Sequence, residues 1–142
     1  MKTVRQVLDT KGSTVYSVAP ESLIYDALLL MAEHHIGALA VMQRDKLVGI
    51  FSERDYAREV VLKGRTSRTT TVGDIMSAQL TTVHLDDTVD HCMNLVSGKR
   101  VRHLPVLEDD KLVGLLSIGD LVKETIAYQE FLIQQLENYI QS

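Results

Sequence analysis

The feature that most constrains the fold of this chain is an internal repeat. Residues 17–59 align with residues 82–124 without a gap at an offset of 65, and twelve aligned positions are identical. Five of them are consecutive, because Asp45–Gly49 and Asp110–Gly114 both read Asp-Lys-Leu-Val-Gly. An ungapped match of this length predicts two copies of one structural unit.

A weaker echo precedes each copy. Thr3–Leu8 resembles Thr71–Met76 at an offset of 68, so the first copy carries extra residues near Lys11. We therefore expect a first unit with its N-terminal lead-in at 1–62, a linker at 63–70, a second unit at 71–125 and a helical extension at 126–142. The linker is polar and rich in Ser and Thr, which favours a solvated connection. The alternative is that it places Arg65 or Arg68 near a bound phosphate.

Each copy has the pattern of a β-α-β-β-α unit. Apolar residues recur at helical spacing after Ser22 and Asp87, which are candidate N-caps. Two short apolar runs separated by a polar turn then indicate a hairpin, and a short strand is expected before each first helix. A unit of about 45 residues buries its helices and sheet poorly by itself. The predicted fold class is α/β (α+β), with two pseudo-symmetric units packed sheet to sheet.

The last stretch of the chain is distinct from the repeat. Its apolar residues fall near a 3-4 spacing, at Val122, Ile126, Ile133, Leu136 and Ile140. This pattern predicts an extended C-terminal helix that packs on a neighbouring subunit, giving a homodimer. Packing on its own unit and docking of a partner protein are the alternatives.

Composition excludes several classes of protein. A net charge of −4 argues against nucleic-acid binding. No apolar run approaches the length of about 18 residues that a membrane span needs. The first residues lack the apolar core of a signal peptide, so we expect a cytoplasmic protein.

No catalytic or metal-binding pattern stands out. Cys92 lies on an apolar helix face, which predicts a buried structural thiol. His34 and His35 end a predicted helix, where a charge–dipole interaction explains them, and no further metal ligands converge. Nucleophile-elbow, P-loop and dinucleotide-binding fingerprints are missing from the sequence. We therefore expect neither an enzyme nor a metal site.

Three stretches of the repeat carry a resemblance to a known family: Val101–Val106, Leu47–Asp55 and Leu112–Asp120. On these stretches the unit is similar to a CBS domain (cystathionine-β-synthase domain), and the chain resembles a stand-alone pair of them. The resemblance implies binding of adenine nucleotides or adenosyl compounds in clefts between the two repeats.

A Gly-x-x-Ser-x-x-Asp motif ends a strand and begins a helix in both copies. It comprises Gly49, Ser52 and Asp55, and again Gly114, Ser117 and Asp120. The serine hydroxyl and the first amides of a helix suit a phosphate, and the aspartate can accept hydrogen bonds from ribose hydroxyls. The alternative is a capping box without a ligand.

The family's arrangement implies two clefts, in which the motif of one repeat faces strands of the other. The residues implied for cleft one are Ser52, Arg54, Asp55, Arg58, Thr82, Val83, Val101, Arg102, His103 and Pro105. The residues implied for cleft two are Ser17, Val18, Ala19, Pro20, Ile36, Gly37, Ala38, Ser117 and Asp120.

The two clefts differ in charge. Two arginines of cleft one, Arg54 and Arg102, correspond to Gly119 and Gly37 in cleft two. Ala40 stands where the other repeat has Pro105. Arginine is suited to phosphate recognition, so we predict that cleft one is the better phosphate site. The alternative for Arg54 and Arg58 is an exposed helix face.

The sequence therefore predicts a non-catalytic regulatory protein that binds an adenine nucleotide and signals to an effector protein by a conformational change. AMP is the first candidate ligand, with ADP, ATP, NAD or S-adenosylmethionine possible. The alternative is a ligand-independent interaction or dimerisation scaffold with vestigial clefts.

Overall fold

The elements follow the predicted order, except that the first strand of the second repeat is not formed as a strand. The structure is a computed structural model that describes residues 2–141. Its helices are α1 (Val4–Lys11), α2 (Ile24–His34), α3 (Glu53–Asp55), α4 (Val72–Ile75), α5 (Val89–Lys99) and α6 (Ile118–Gln141). Its strands are β1 (Ser17–Val18), β2 (Ala38–Gln43), β3 (Lys46–Ser52), β4 (His103–Glu108) and β5 (Lys111–Ser117). A π-helical segment, Tyr56–Val61, continues from α3. These elements confirm the mixed α/β class and the extended C-terminal helix.

The strands form two small sheets, in the orders β1-β2-β3 and β4-β5. β1 pairs with β2 in parallel, and β2 pairs with β3 as an antiparallel hairpin. The strand expected before α5 is reduced to one parallel bridge between Val83 and Val106.

The repeat is visible in the backbone even where side chains differ. His35 and Arg100, which align in the repeat, are both left-handed at φ 54° and end α2 and α5. Arg44 and Asp109, in the turns of the two hairpins, have φ of 59° and 51°. Both copies therefore make the same changes of direction with different residue types.

The predicted N-caps were wrong by one residue in each copy. The caps are Leu23 for α2 and Thr88 for α5. The Ser22 hydroxyl instead accepts from the Ala19 amide, and the Asp87 carboxylate accepts from the His84 amide. Both side chains thus accept a backbone amide bond that closes the turn before the helix. This is the same type of bond that an N-cap accepts, but the residue lies one position before the cap.

The contacts within the chain group its parts differently from the sequence repeat. One unit combines the lead-in up to Ser13 with Thr81–Val106 and the chain from Gly114 onward. The other combines Thr14–Leu80 with Leu107–Val113. The division predicted from the repeat keeps each lead-in with the copy that follows it. Backbone bonds explain the difference, because the Val4 amide donates to Asp87 O at 2.8 Å and the Val72 amide to Ser22 O at 2.8 Å.

Burial separates the repeat from the end of the chain. The core of the unit around β1-β2-β3 is a cluster of fully or nearly fully buried residues, Ile24, Ala27, Met31, Leu39, Val41, Phe51, Val60, Val72 and Ile75. In the other unit Leu104, Leu116 and Leu121 are fully buried. Past this point α6 exposes large apolar side chains. Within residues 2–141, no helix has the length and apolarity to cross a membrane.

Candidate ligand-binding motifs

The first motif forms a complete capping box at the start of α3. The Ser52 hydroxyl accepts from the Asp55 amide at 3.2 Å, and Asp55 Oδ2 accepts from the Ser52 amide at 2.9 Å. Ser52 Oγ also donates to Asp55 Oδ2 at 3.0 Å. The hydroxyl proton of Ser52 is thus donated to Asp55, which agrees with the alternative of a capping box without a ligand.

Asp55 is nevertheless an unusual cap. Burial raises the pKa of its carboxyl, and the bonds from Ser52 only partly offset that effect. Its described hydrogen bonds all end on Oδ2, and no ion pair is described for it within residues 2–141. Oδ1 is therefore the oxygen at which a ligand hydroxyl could donate.

The second motif repeats this geometry at the start of α6. Asp120 Oδ2 accepts from the Ser117 amide at 2.8 Å, and the Asp120 amide donates to Ser117 Oγ at 3.1 Å. The first amide of each helix is also used within the protein. Glu53 N donates to Gly37 O at 3.0 Å, and Ile118 N donates to Arg102 O at 2.9 Å. Two of the first three amides are thus engaged in each copy, which leaves less capacity for a phosphate than the sequence suggested.

The two aspartates differ in their electrostatic environment because of one lysine. Lys11 Nζ, at the end of α1, forms a hydrogen-bonded ion pair with Asp120 Oδ2 and also donates to Leu115 O. Burial favours a raised pKa for Asp120, but the bonds from Lys11 and Ser117 outweigh it and hold that pKa below its usual value. Lys11 was missed in the site prediction. The sequence signal for Lys11 was the extra length of the first lead-in, which we interpreted only as an insertion.

The glycine of each motif lies under a lead-in side chain. A Cβ on Gly49 would lie 2.6 Å from Met76 Sδ, and one on Gly114 would lie 2.6 Å from Leu8 Cδ1. A side chain at either position would have to push the lead-in side chain aside, so close packing favours glycine here independently of any ligand.

The residues predicted for cleft two at 17–20 and 36–38 belong to the same unit as the first motif. Ser17 and Val18 form β1, and the Pro20 carbonyl accepts from the Gly73 amide at 2.7 Å. Ala38 begins β2 and is buried. Among the motif's neighbours, Arg54 and Arg58 are exposed.

The residues predicted for cleft one on the second repeat share the unit of the second motif. Val83 is buried and its amide donates to Pro105 O at 3.0 Å. His103, the first residue of β4, is half-buried. Burial, followed by the nearby Lys11 charge, lowers its pKa below 6.5, although Asp120 acts in the opposite direction.

Each unit therefore holds half of each predicted cleft. Ser52, Asp55 and the strand residues of cleft two belong to one unit, and Ser117, Asp120 and the strand residues of cleft one belong to the other. The pairing of motif and strands across the repeats stays a prediction.

Several other singled-out residues have structural partners. Arg68 lies 4.1 Å above the ring of Tyr25, and His34 stacks on Tyr16 at 3.7 Å between ring centroids. Cys92 is fully buried, which confirms the predicted structural position, and burial raises the pKa of its thiol to about 11. Among residues 2–141, no three His, Cys, Asp or Glu side chains come together as a metal site.

Comparison with known proteins identifies the repeat. A sequence model of the CBS domain matches twice, at residues 4–62 and 72–126. The CBS domain-containing protein CBSX3, mitochondrial, of Arabidopsis thaliana is 36% identical over 98% of this chain and 72% of its own length. A solved structure from Burkholderia ambifaria, of a protein described as a signal-transduction protein with CBS domains, is 50% identical, with a TM-score of 0.85 over 89% of this chain and 95% of that one.

A more distant structure has the same fold with ligands bound. The CBS domain pair of protein MJ0100 was crystallised with 5′-methylthioadenosine and S-adenosyl-L-methionine. It is 24% identical, with a TM-score of 0.78 over 87% of this chain and 99% of that one.

Proposed function

The chain belongs to the CBS-domain family, and we propose that it is a regulatory protein that binds an adenosine-containing ligand without transforming it. Binding shifts the population of its conformations, and an effector protein reads that shift. AMP is the first candidate ligand, because the arginines beside the first motif suit a single phosphate group.

The observation that carries this proposal is the state of Asp55. Its carboxylate is partly desolvated, has no described ion pair and keeps one oxygen outside the capping box. Hydroxyl donors lower the free energy of such a group, since a hydrogen bond to a charged acceptor contributes about 1.5–3 kcal/mol. The vicinal hydroxyls of a ribose are donors of this kind.

The proposed ligand contacts are the two residue sets predicted from the sequence. In the first set Asp55 binds the ribose, and Arg54 and Arg58 bind the phosphate. The Ser52 hydroxyl and the Glu53 amide already form hydrogen bonds within the protein. We therefore assign less of the phosphate binding to the start of the helix. The adenosine compounds bound by the related pair of protein MJ0100 support this ligand class.

Isothermal titration calorimetry with AMP, ADP, ATP, NAD and S-adenosylmethionine tests the proposal. Asp55→Asn should weaken the binding of AMP by about tenfold or more, because an amide is a weaker acceptor than a carboxylate. Asp45→Asn is the matched control, since Asp45 is an exposed acid in the hairpin turn of the same repeat. No heat change with any of these ligands at millimolar concentration would reject ligand sensing.

The second candidate is a ligand-independent scaffold. It is favoured by the two capping boxes, which account for Ser52, Asp55, Ser117 and Asp120 as helix caps alone. Under this alternative Asp55→Asn lowers the stability of the protein but changes no ligand affinity.

A further inference from the structure

A lysine outside the repeated motifs already binds the second aspartate. Lys11 Nζ contacts Asp120 Oδ2 and the Leu115 carbonyl, in an ion pair whose side chains are 37% and 24% exposed. Both partners belong to one unit of the chain. The lysine is fixed there by α1, whose Leu8 lies directly over Gly114 on β5.

For the first aspartate, Asp55, no ion pair with a lysine is found among residues 2–141. At the offset of the lead-ins, Lys11 corresponds to Gln79, and the carbonyl equivalent to that of Leu115 belongs to Ile50. Ile50 O accepts from the backbone amide of Ser77 at 2.9 Å. α1 has eight residues and α4 has four. The additional turn of α1 is what carries a side-chain ammonium to the second motif.

We infer that Lys11 competes with the ligand for Asp120 and makes the second motif the weaker of the two ribose-binding motifs. A ribose hydroxyl that donates to Asp120 meets a carboxylate whose charge is already compensated by an ammonium. The ligand must displace that charge-assisted bond or bind a weaker acceptor, and either cost lowers its affinity. This inference rests on the proposed function.

Lys11 adds a cause of inequality that differs from the arginines. The arginines act on the phosphate of a ligand, whereas Lys11 acts on the acceptor of its ribose. An uncharged ligand therefore separates the two effects, because it has no phosphate for the arginines or for Lys11 to attract. Adenosine is such a probe.

The experiment measures adenosine binding by calorimetry in an Asp55→Asn background, in which the first motif is weakened. Adding Lys11→Met should raise the affinity by about tenfold, the effect of one charge-assisted hydrogen bond. Lys11→Arg keeps the charge and should retain the weak affinity. Lys2→Met is the matched control, because it also removes a lysine that pairs with an acid of α6, but that acid is Glu124 and not the motif's aspartate. Adding Asp120→Asn to Lys11→Met should remove the gain.

Each result of this experiment either supports or overturns the inference about Lys11. Unchanged or weaker adenosine binding in Lys11→Met would overturn the inference, and weaker binding would make Lys11 a group that contacts the ligand. Lys11→Gln is measured in parallel, so that a folding defect in one variant does not decide the result. If neither the unsubstituted chain nor Lys11→Met binds any adenosine compound, both the inference and the proposed function are rejected. If the unsubstituted chain binds AMP, only the role of Lys11 is at stake.

Discussion

Leu8 lies on Gly114 as Met76 lies on Gly49. A Cβ at either glycine would lie 2.6 Å from the side chain above it. Leu8 and Met76 are equivalent in the lead-ins, and the two glycines are equivalent in the repeat. The lead-in that precedes the first repeat thus packs on the β5 glycine of the second. The lead-in that precedes the second repeat packs in the same way on the β3 glycine of the first.

We expect Gly114→Ala to destabilise the protein. The new methyl group overpacks a site where Leu8 Cδ1 and Cδ2 lie within 2.9 Å of it, at a cost of about 1–3 kcal/mol. Urea unfolding measures the change. Gly98→Ala is the control, because a Cβ there meets nothing within 4 Å and alanine favours a helix.

A double-mutant cycle checks that the clash is with Leu8. Leu8→Ala alone should destabilise by about 2–5 kcal/mol, the usual cost of truncating a buried leucine. Together with Gly114→Ala it should cost less than the sum, because the smaller side chain makes room for the methyl group. Additive costs would show that Leu8 does not limit position 114.

The half-buried His103 should make stability depend on pH. Its pKa is lowered below 6.5 in the folded protein, chiefly by burial and then by Lys11. Between that lowered value and 6.5 the unfolded chain binds the proton more readily, so the free energy of unfolding rises with pH. The contribution is fully present above about pH 6.5 and is lost as the pH falls through the folded pKa.

Urea unfolding between about pH 5 and 7.5 measures this dependence. His103→Gln should flatten the slope, and the exposed His91→Gln should leave it as it is. In Lys11→Met, proton NMR should show the pKa of His103 moving upward, because a nearby positive charge has been removed. A slope that persists in His103→Gln would assign the effect to other groups.

The C-terminal helix should carry the homodimer that we propose. Phe131, Ile133 and Leu136 are 56%, 56% and 63% exposed. A helix is only marginally stable in water when nothing packs against it, and exposed apolar patches of this kind mark interaction sites. A second copy that packs against these residues would bury them.

We expect Leu136→Glu combined with Ile140→Glu to halve the mass measured by light scattering. Gln135→Glu adds a charge to the same helix at a polar position and should leave the mass unchanged. Truncation after Thr125 should give the same result as the double variant. A monomer before any substitution would instead reject dimerisation by α6.

The order of elements could be predicted from the sequence because it depends on local pattern. Apolar spacing and polar turns place α2, β2 and β3 in the first copy, and the 65-residue offset transfers them to α5, β4 and β5. The motif serines and aspartates were also evident, since a capping box is a local signature. Ser22 shows the limit of such signals, because its hydroxyl fits both a helix cap and the turn one residue earlier.

Only the tertiary structure decided what each lead-in packs against and what each aspartate is paired with. Residues 3–8 precede the first repeat in sequence, but their backbone bonds go to residues 85–88, far along the chain. Lys11 and Asp120 are likewise distant in sequence and similar in type to many surface charges. The sequence by itself determined that Asp55 and Asp120 stand in equivalent motifs. Their inequality depends on which side chain folds against them, a contact that local pattern does not encode.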